Sequence, residues 1–381
     1  MSEKTRICAE RLFRGGLAEE NAPLIAASSD SGIVANRADA RLALLEGVMR
    51  ELPLRSAILS QPAEPYRTII DFLSGGHSRG TISGDDAGAL FRNLPVIGEF
   101  TEEAVISVLR RRRGAVMPGA GVIAAGRSSP AEALDVFYSI CFGCFVKFFS
   151  DCLRLSRKGN LAGERRSAFL RAESFIEHPE MNFPALFRGP FQTEGEALAA
   201  IEEAGRLTVR YRLVESSYGN VSYRCGPKLL ISRTGIPLDE LRGAIESCSL
   251  EGGDCRTAAS RELPAHRRIV LETGSRAVLH GHPKFSVVLS MDHANVLAGN
   301  GSKSAVPGRI EDVPVVAGKP GGGPDGLHLT VPPALKGNRG VIVFGHGVFT
   351  AGKEDFNEAF RNMLEIELMC MEKYFKEIGF M

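Results

Sequence analysis

The sequence predicts an α/β protein made of two tandem domains. Its 381 residues exceed what one hydrophobic core ordinarily holds, so the length alone favours two or three domains. Residues 114–149 have the pattern of a strand, a Gly-x-Gly turn, a second strand, a glycine turn and a long amphipathic helix, and residues 340–375 repeat that order. A repeat that covers a whole order of elements indicates duplication of one domain.

The repeat extends upstream of these segments and predicts the domain boundaries. Residues 94–100 are similar to residues 313–319, and residues 40–62 are similar to residues 265–283. Between the two copies, residues 159–192 contain proline and glycine at points where hydrophobic periodicity fails, which is typical of a linker. The sequence therefore predicts a first domain over residues 1–158, a linker over 159–192 and a second domain over 193–381.

The composition is that of a globular protein, with 44% hydrophobic and 24% charged residues. The formal net charge of +1 gives no electrostatic reason to expect nucleic acid or an anionic membrane as a partner. Eight cysteines without a framework spacing fit reduced thiols. Because there is also no apolar run of about 18 residues and no apolar secretion signal, the sequence predicts a cytoplasmic protein.

Three histidines of the second copy form the predicted metal site. His280 and His282 lie in a run whose flanks, residues 277–279 and 285–290, predict a strand and its continuation. In a strand, residues i and i+2 point to the same face, so the two imidazoles can converge on one ion. His346 lies between two glycines at the end of another β-rich run. A single His-x-His pair usually binds nothing, but the third histidine makes a divalent metal site the stronger interpretation.

The first copy lacks these candidate ligands. Aligned through residues 57–59 and 277–279, Ser60 and Pro62 stand where His280 and His282 stand, and Ala120 stands where His346 stands. The same copy contains G-x-G-x-x-A within residues 119–125, a pattern typical of dinucleotide binding. The chain turns at Gly126 before any predicted helix begins, however, whereas that motif requires its last small residue inside the helix. A dinucleotide site is therefore disfavoured.

Further polar residues of the second copy could bind an anion or move a proton. Asn220 lies in a turn that enters a strand, and Thr234 and Gly235 form a turn before a helix predicted to start near Pro237. Backbone amides there could bind a phosphate, or form a capped turn without a ligand. Glu262, on a loop that leads into the helix before the metal strand, could be a metal ligand, a base or an ordinary helix-entry carboxylate.

From about Thr193 to its end, the chain resembles the class II aldolase/adducin family, which includes fuculose-phosphate aldolase and ribulose-phosphate epimerase. The matching motifs are G-N-V-S at 219–222, T-G at 234–235, S-x-E-x-P-x-H at 260–266, H-x-H-P at 280–283 and G-H-G at 345–347. The resemblance implies two three-layer α/β/α domains, each with a mostly antiparallel sheet flanked by helices. It also implies that the metal ligands are His280, His282, His346 and Glu262, and that Glu262 is in addition the acid/base. The residues implied for a substrate phosphate pocket are Asn220, Thr234, Gly235 and Ser260.

The family resemblance further implies a zinc-dependent lyase, or one that uses another divalent transition metal. Its substrate would be a phosphorylated sugar or related hydroxy-carbonyl compound, and aldol cleavage would pass through a metal-stabilised enediolate. The alternatives are an epimerase, dehydratase or decarboxylase of the same family, or a non-catalytic adducin-like scaffold. Because family members form cyclic tetramers, the tandem chain is expected to form a homo-oligomer, namely a dimer that reproduces that ring as a pseudo-tetramer.

The second copy departs from the family pattern at three points. The stretch 312–326 lacks the tyrosine that protonates the leaving group in aldolase members, so the proton donor is left open. Arg261 replaces the second serine of the usual S-S-E motif, where it could contact an anionic substrate or point into solvent. The glycines at 318, 321–323 and 326 suggest either a lid or a connector.

Overall fold

The chain forms two compact units, Met1–Glu177 and His178–Met381. The structure is a computed structural model that describes residues 3–75, 80–82, 93–177, 183–253, 255, 258–294, 296 and 308–379. The boundary between the units lies within residues 159–192, the predicted linker. A helix inside that segment, Gly163–Glu173, packs against helices of the first unit.

The first unit contains a seven-stranded mixed sheet with helices. Its sheet order is β2-β1-β3-β7-β6-β5-β4, and all its neighbouring strands are antiparallel except the parallel pair β5 and β6. The strands are β1 Leu24–Ser29, β2 Gly32–Ala35, β3 Ser56–Ser60, β4 Gly80–Ile82, β5 Leu94–Val96, β6 Gly114–Met117 and β7 Gly121–Gly126; the helices are α1 Glu3–Arg14, α2 Leu42–Glu51, α3 Tyr66–Ser74, α4 Glu102–Leu109, α5 Pro130–Arg157 and α6 Gly163–Glu173.

The second unit has the same sheet order with one extra edge strand, β10-β9-β8-β11-β15-β14-β13-β12. Only β13 and β14 are parallel among its described neighbouring pairs. The strands are β8 Asn220–Cys225, β9 Lys228–Ser232, β10 Ile245–Ser249, β11 Ala277–Gly281, β12 Gly308–Ile310, β13 Val313–Val316, β14 Val341–Val343 and β15 Gly347–Gly352; the helices are α7 Glu194–Arg210, α8 Leu263–Thr273, α9 Lys284–Ser290, α10 Leu327–Leu335 and α11 Phe356–Ile378, with a 3₁₀ turn at Met291–His293. The predicted α/β class with mostly antiparallel sheets is confirmed.

Apolar strands with both faces buried place the core on two sides of each sheet. In β11, all five residues are buried. Val278 lies in an apolar cluster with residues of α8 and α10, whereas its neighbour Leu279 lies in a cluster with residues of α7 and α11. Because strand side chains alternate, His280 belongs to the side of the sheet that α8 covers. The fold thus directs His280 toward the start of α8.

Backbone hydrogen bonds give a residue-by-residue correspondence between the two sheets. The N–H of Arg276 donates to Gly352 O at 3.0 Å, and the N–H of Arg55 donates to Gly126 O at 2.9 Å. Arg55 therefore corresponds to Arg276, and it follows that Leu59 corresponds to His280, and Gln61 to His282. The sequence alignment that places Ser60 and Pro62 opposite His280 and His282 is therefore wrong by one residue. The similar triplets 57–59 and 277–279 lie out of register by one residue in the two sheets. A slip of one residue exchanges the two faces of a strand.

The longest apolar helix of the chain, α5, is part of the first unit. Among the described helices, α5 alone is long and apolar enough to cross a membrane, and 78% of its apolar window is buried inside the unit. A buried core helix passes the same test, so this is weak support for a membrane span. Cys141 and Cys144 are both buried in this helix, where they pack as small apolar side chains.

Two predicted elements of the second unit are wrong. Residues 236–244 form two successive turns, closed by hydrogen bonds from Glu240 N–H to Pro237 O and from Ala244 N–H to Leu241 O, so no helix starts near Pro237. Residues 285–290, predicted to continue the strand, lie in α9. A buried carboxylate explains this helix, since Glu367 accepts hydrogen bonds from the N–H groups of its first turn.

The cysteines differ from the prediction at one pair. The structure joins Cys248, at the edge strand β10, to Cys255 in a disulfide, with Cα atoms 4.9 Å apart. Reduced thiols are therefore the wrong prediction for this pair, because the turn after β10 brings together two cysteines that no framework spacing marks. The other six cysteines, all within the described part of the chain, form no disulfide.

Candidate metal centre

Three imidazoles meet at the ends of β11 and β15. His280 is the fourth of the five residues of β11, and His282 follows that strand directly. His346 lies in the turn between β14 and β15. One nitrogen from each ring lies within 4.8 Å of the other two. The three ring centroids are 5.0 Å apart in every pair. The structure therefore brings together all three histidines that the sequence predicts.

Gly347 makes this close approach possible. A Cβ atom at this position would lie 2.3 Å from Gly281 O and 2.9 Å from ring atoms of both His280 and His282. The two rings thus lie where a side chain at the start of β15 would otherwise stand. This is the physical reason for glycine after His346, because any larger residue would displace the imidazoles.

Glu262 completes the cluster from the helix side. It is the N-terminal cap residue of α8, and its Oε2 lies 3.4 Å from His280 Nε2 while its Oε1 lies 3.3 Å from His346 Nε2. Asn220, at the start of β8, donates from Nδ2 to Glu262 Oε2 at 2.8 Å. Both side chains are buried. The carboxylate is therefore held between two imidazoles and an amide.

Contacts on the outer side of the ring orient His280. Its Nδ1 lies 3.0 Å from Val348 O, and because a carbonyl only accepts, Nδ1 carries the proton and Nε2 faces the cluster with its lone pair. Phe349 stacks on the same ring with centroids 4.1 Å apart. Such outer contacts fix the tautomer and ring orientation of a metal-ligating histidine.

The charges of the cluster suit metal binding. Burial lowers the pKa of His280 to about 4 and lowers the pKa of His282 well below its ordinary value, so both rings are neutral at pH 7. Burial alone would raise the pKa of the Glu262 carboxyl. The imidazoles of His280 and His346 and the Asn220 amide outweigh it and hold that pKa below its ordinary value. Neutral imidazoles and an ionised carboxylate are the protonation states in which these groups bind metal.

Three of the distances between donor atoms are those expected around a tetrahedral ion. Ligands about 2.0–2.1 Å from a tetrahedral zinc ion lie roughly 3.3–3.4 Å from one another. His280 Nε2 and His282 Nε2 are 3.2 Å apart, and the two contacts of Glu262 measure 3.4 and 3.3 Å. Nitrogen and oxygen donors of this kind are typical of zinc and similar divalent transition metals. The residues present therefore fit such an ion.

The predicted phosphate pocket is divided between two paired segments. Thr234 and Gly235 lie exposed in the turn after β9, and Ser260 is in the neighbouring segment before α8, joined to it by a bridge between Arg233 and Ala259. The Thr234 hydroxyl donates to Ala259 O at 3.0 Å, and Ser260 Oγ accepts from Glu262 N–H at 3.3 Å. Asn220 lies against Glu262 and donates to its carboxylate. The pocket stays a prediction.

Several residues that lie near the histidine cluster are not predicted from the sequence. The ring of Tyr218 lies 5.6 Å from that of His282, and Lys284 Nζ pairs with Glu215 Oε1 at 2.7 Å. Both Tyr218 and Glu215 belong to a loop in which Ser216 has a φ of 56°, a strained value for a non-glycine residue. The position of Tyr218 directly before the G-N-V-S motif is a signal that could have marked it.

The glycine-rich stretch after β13 forms an ordered turn. Lys319 N–H donates to Asp325 O at 2.8 Å, and Leu327 N–H donates back to Lys319 O at 2.9 Å. A Cβ on Gly322 would lie 3.8 Å from Pro264, so the turn lies against the first turn of α8. The contacts fit the connector interpretation as well as that of a lid closed on the site.

The first unit has apolar, uncharged polar or ion-paired residues at the same positions. The correspondence runs without a gap from residues 39–62 to residues 260–283. Asp39, at the position of Ser260, is bound by Arg37 at 2.5 Å and by Arg41 at 2.7 Å, and Arg41 stands where Glu262 stands. The remaining replacements for Asn220, His280, His282 and His346 are Leu24, Leu59, Gln61 and Ala120.

One family model matches the second half of the chain, and several solved structures are similar to about half of its length. Residues 199–374 match the family described as Class II Aldolase and Adducin N-terminal domain. Similar solved structures include L-fuculose-1-phosphate aldolase from Thermus thermophilus, which is 26% identical and covers 49% of this chain and 97% of its own, with a TM-score of 0.41. A sugar-phosphate aldolase from Thermotoga maritima is 19% identical over 48% of this chain and 94% of its own, with a TM-score of 0.36.

A further similar structure is the N-terminal class II aldolase domain of a conserved protein from Thermoplasma acidophilum. It is 14% identical and covers 52% of this chain and 99% of its own, with a TM-score of 0.36. No curated protein matches the chain. Residues 199–374 therefore carry the sequence pattern of the class II aldolase and adducin family.

Proposed function

We propose that the second unit is a zinc-dependent lyase that cleaves a phosphorylated sugar, or a related hydroxy-carbonyl compound, by the aldol reaction. The observation that supports it best is the cluster of His280, His282, His346 and Glu262. Its three measured donor–donor distances, 3.2, 3.3 and 3.4 Å, fit a divalent ion. A family with class II aldolases among its members supplies the reaction type.

The residues of the chain have separate roles in this proposal. A divalent ion held by the histidines supplies Lewis-acid polarisation of a substrate carbonyl. Glu262, kept ionised by its neighbours, accepts or returns the proton at the reacting carbon, and Asn220 orients it through the 2.8 Å hydrogen bond. Thr234, Gly235 and Ser260 would receive the phosphate. Burial of Glu262 and His280 keeps bulk water away from the proton-transfer step.

Tyr218 is our candidate for the group that takes the hydroxyl proton as the carbon–carbon bond breaks and that returns it to the aldehyde oxygen in the reverse reaction. Its phenol ring is in contact with His282, and it belongs to the strained loop that precedes Asn220. We expect Tyr218→Phe to lower kcat about 100-fold, a typical loss when a general acid or base is removed, while the zinc content stays at one per chain. The matched control is Tyr211→Phe, because Tyr211 packs on Phe360 away from the cluster. Equal kcat values for Tyr218→Phe and the unmodified protein would exclude this role.

The same groups could support epimerisation, dehydration or decarboxylation, and these reactions are outcomes of one substrate screen. The zinc-loaded protein is incubated with sugar phosphates and sugar-acid phosphates, and products are detected by mass spectrometry, with His280→Ala as the blank. Turnover of an aldol substrate supports the proposal. Turnover of another type reassigns the reaction while it retains the metal centre.

A scaffold protein without catalysis is the alternative from a different class. It would need none of the buried polar cluster, and burial of ionisable groups without a role is costly. Elemental analysis after purification without a chelator separates the two. About one zinc ion per chain supports the enzyme, whereas no metal, and none on addition of zinc, supports the scaffold.

We propose in addition that the chain assembles as a homodimer in which the four units form a pseudo-tetramer. The support is the shared strand order of the two sheets, which also favours the proposed tandem duplication. In this arrangement the first unit has a structural role, in agreement with its missing ligands. We expect twice the chain mass of 41.1 kDa in light scattering, and a monomer would contradict the assembly.

A further inference from the structure

We propose that a buried hydrogen bond between Ser222 and His266 positions Glu262 in the metal site. The inference rests on the proposed function, because it assigns Glu262 a place in that site. Ser222 Oγ and His266 Nδ1 are 2.7 Å apart. Ser222 is two residues after Asn220 on β8, and His266 is one helical turn after Glu262 in α8. The strand and the helix that carry the Asn220–Glu262 contact are thus joined a second time.

The geometry explains why Glu262 needs such a link. It is the cap residue of α8, yet its side chain makes no capping hydrogen bond to the helix. The direction of the carboxylate therefore depends on where the first turn of α8 lies relative to β8. Residues i and i+4 lie on the same face of a helix, so a bond from His266 to β8 fixes that turn on the face that presents Glu262.

A hydrogen-bonded serine–histidine pair is unusual in the core of a protein. Ser222 and His266 are both fully buried, and among the described residues His266 Nε2 has no hydrogen-bond partner. Burial lowers the pKa of His266 to about 3, so the ring is neutral. A buried polar pair with an unsatisfied nitrogen is less stabilising than an apolar pair of the same volume. Packing alone therefore does not account for these two residues.

The first unit shows that the fold does not require them. Ser28 N–H donates to Arg55 O at 2.9 Å, as Arg224 N–H donates to Arg276 O at 2.8 Å, so Ala26 stands at the position of Ser222. The ungapped correspondence from residues 39–62 to 260–283 places Leu45 at the position of His266.

Ala26 and Leu45 are fully buried in one apolar cluster. The same sheet order thus exists with an apolar pair in the unit that has arginine in place of Glu262. The polar pair occurs in the unit in which Glu262 meets three imidazoles. This contrast within one chain is what separates a positioning role from a general requirement of the fold.

The test transfers the apolar pair into the second unit. The affinity for zinc alone is measured by competition with a chromophoric chelator, for Ser222→Ala/His266→Leu in the unmodified chain and in Glu262→Gln. We expect about 10-fold weaker zinc binding in the unmodified background, the size of effect typical of outer partners of metal ligands. In the Glu262→Gln background, which has no carboxylate to position, we expect no further change.

Two variants serve as controls. His266→Asn keeps a nitrogen at the position of Nδ1 and is expected to restore zinc affinity to within about threefold of the unmodified value, because Ser222 regains its partner. Thr208→Val removes another buried hydroxyl hydrogen bond, from Thr208 Oγ1 to Ala204 O at 2.7 Å, and should leave zinc affinity unchanged. Thermal unfolding of each variant shows whether the unit is folded at the temperature of the titration.

The outcomes separate this inference from the proposed function. An equal loss of zinc affinity in both backgrounds, or no loss in either, overturns the positioning role while the metal centre stands. Ser222→Ala alone, which removes the hydrogen bond without changing the helix, decides the matter if the double variant does not fold. An unmodified protein that binds no zinc overturns the proposed function and this inference together.

Discussion

Replacing His280 with alanine is expected to abolish zinc binding and turnover while the fold is retained. His280 lies between Glu262 and His282, at 3.4 and 3.2 Å, so its loss removes the central donor of the cluster. Changing even an outer partner of a metal ligand typically costs 10–100-fold in affinity, so the loss of a ligand should exceed about 100-fold. Zinc content by elemental analysis and zinc affinity by chelator competition measure the effect.

The control for His280→Ala exists in the same chain. Leu59 is the corresponding residue of the first unit, and it is equally buried. Leu59→Ala should lower the free energy of unfolding by about 2–5 kcal/mol, as is usual for a buried leucine, and leave zinc binding intact. Zinc at 100 times its Kd should stabilise the unmodified protein and Leu59→Ala by about 2.7 kcal/mol, and should not stabilise His280→Ala. One tightly bound zinc ion per chain in His280→Ala would show that the metal is bound elsewhere.

The sequence identifies the histidines because their geometry is local. A strand places His280 and His282 on one face whatever the rest of the fold does, and the glycines beside His346 mark a turn at which backbone and rings approach closely. The α/β class follows from the repeat in the same way. These features depend on residues near one another in the chain, so a pattern in the chain predicts them.

The errors arise where distant residues decide the structure. Residues 285–290 are β-branched and apolar enough for a strand, yet Glu367, from the last helix, accepts the N–H groups that start α9. The pairing of Leu59 with His280 depends on sheet register, which hydrogen bonds to β7 and β15 reveal and a similar triplet of residues does not. The Ser222–His266 bond likewise joins a strand to a helix 44 positions away.

A comparison of the two units separates the residues that the sheet requires from those that the proposed function requires. Both have the same order of strands around β3 or β11, so the metal ligands are not required to form the sheet. In the first unit, Arg37 and Arg41 neutralise Asp39 where the second unit has Ser260 and Glu262 nearby. Two guanidinium groups and one carboxylate leave a net positive charge there, which opposes the binding of a metal cation. Chemistry in the chain should therefore depend on the second unit alone.

Glu262→Gln should separate binding from chemistry. Three imidazoles remain in this variant, so we expect close to one zinc ion per chain at saturating zinc, with an affinity lowered about 10-fold by the missing charge. The amide can still accept the hydrogen bond from Asn220 but cannot take a proton. Turnover of the substrate found in the screen should fall by about 100- to 10,000-fold, the usual contribution of a general acid or base.

Glu367→Gln is the matched control, since Glu367 is also buried and its carboxylate accepts hydrogen bonds from the N–H groups and the hydroxyl at the start of α9. That variant should keep both zinc and turnover. The informative comparison is kcat at saturating zinc, because there the lower affinity of Glu262→Gln no longer limits the rate. A kcat for Glu262→Gln equal to that of Glu367→Gln would leave Glu262 as a metal ligand only. The proton would then have to move through another group, and Tyr218, beside His282, is the first residue to replace in a search for it.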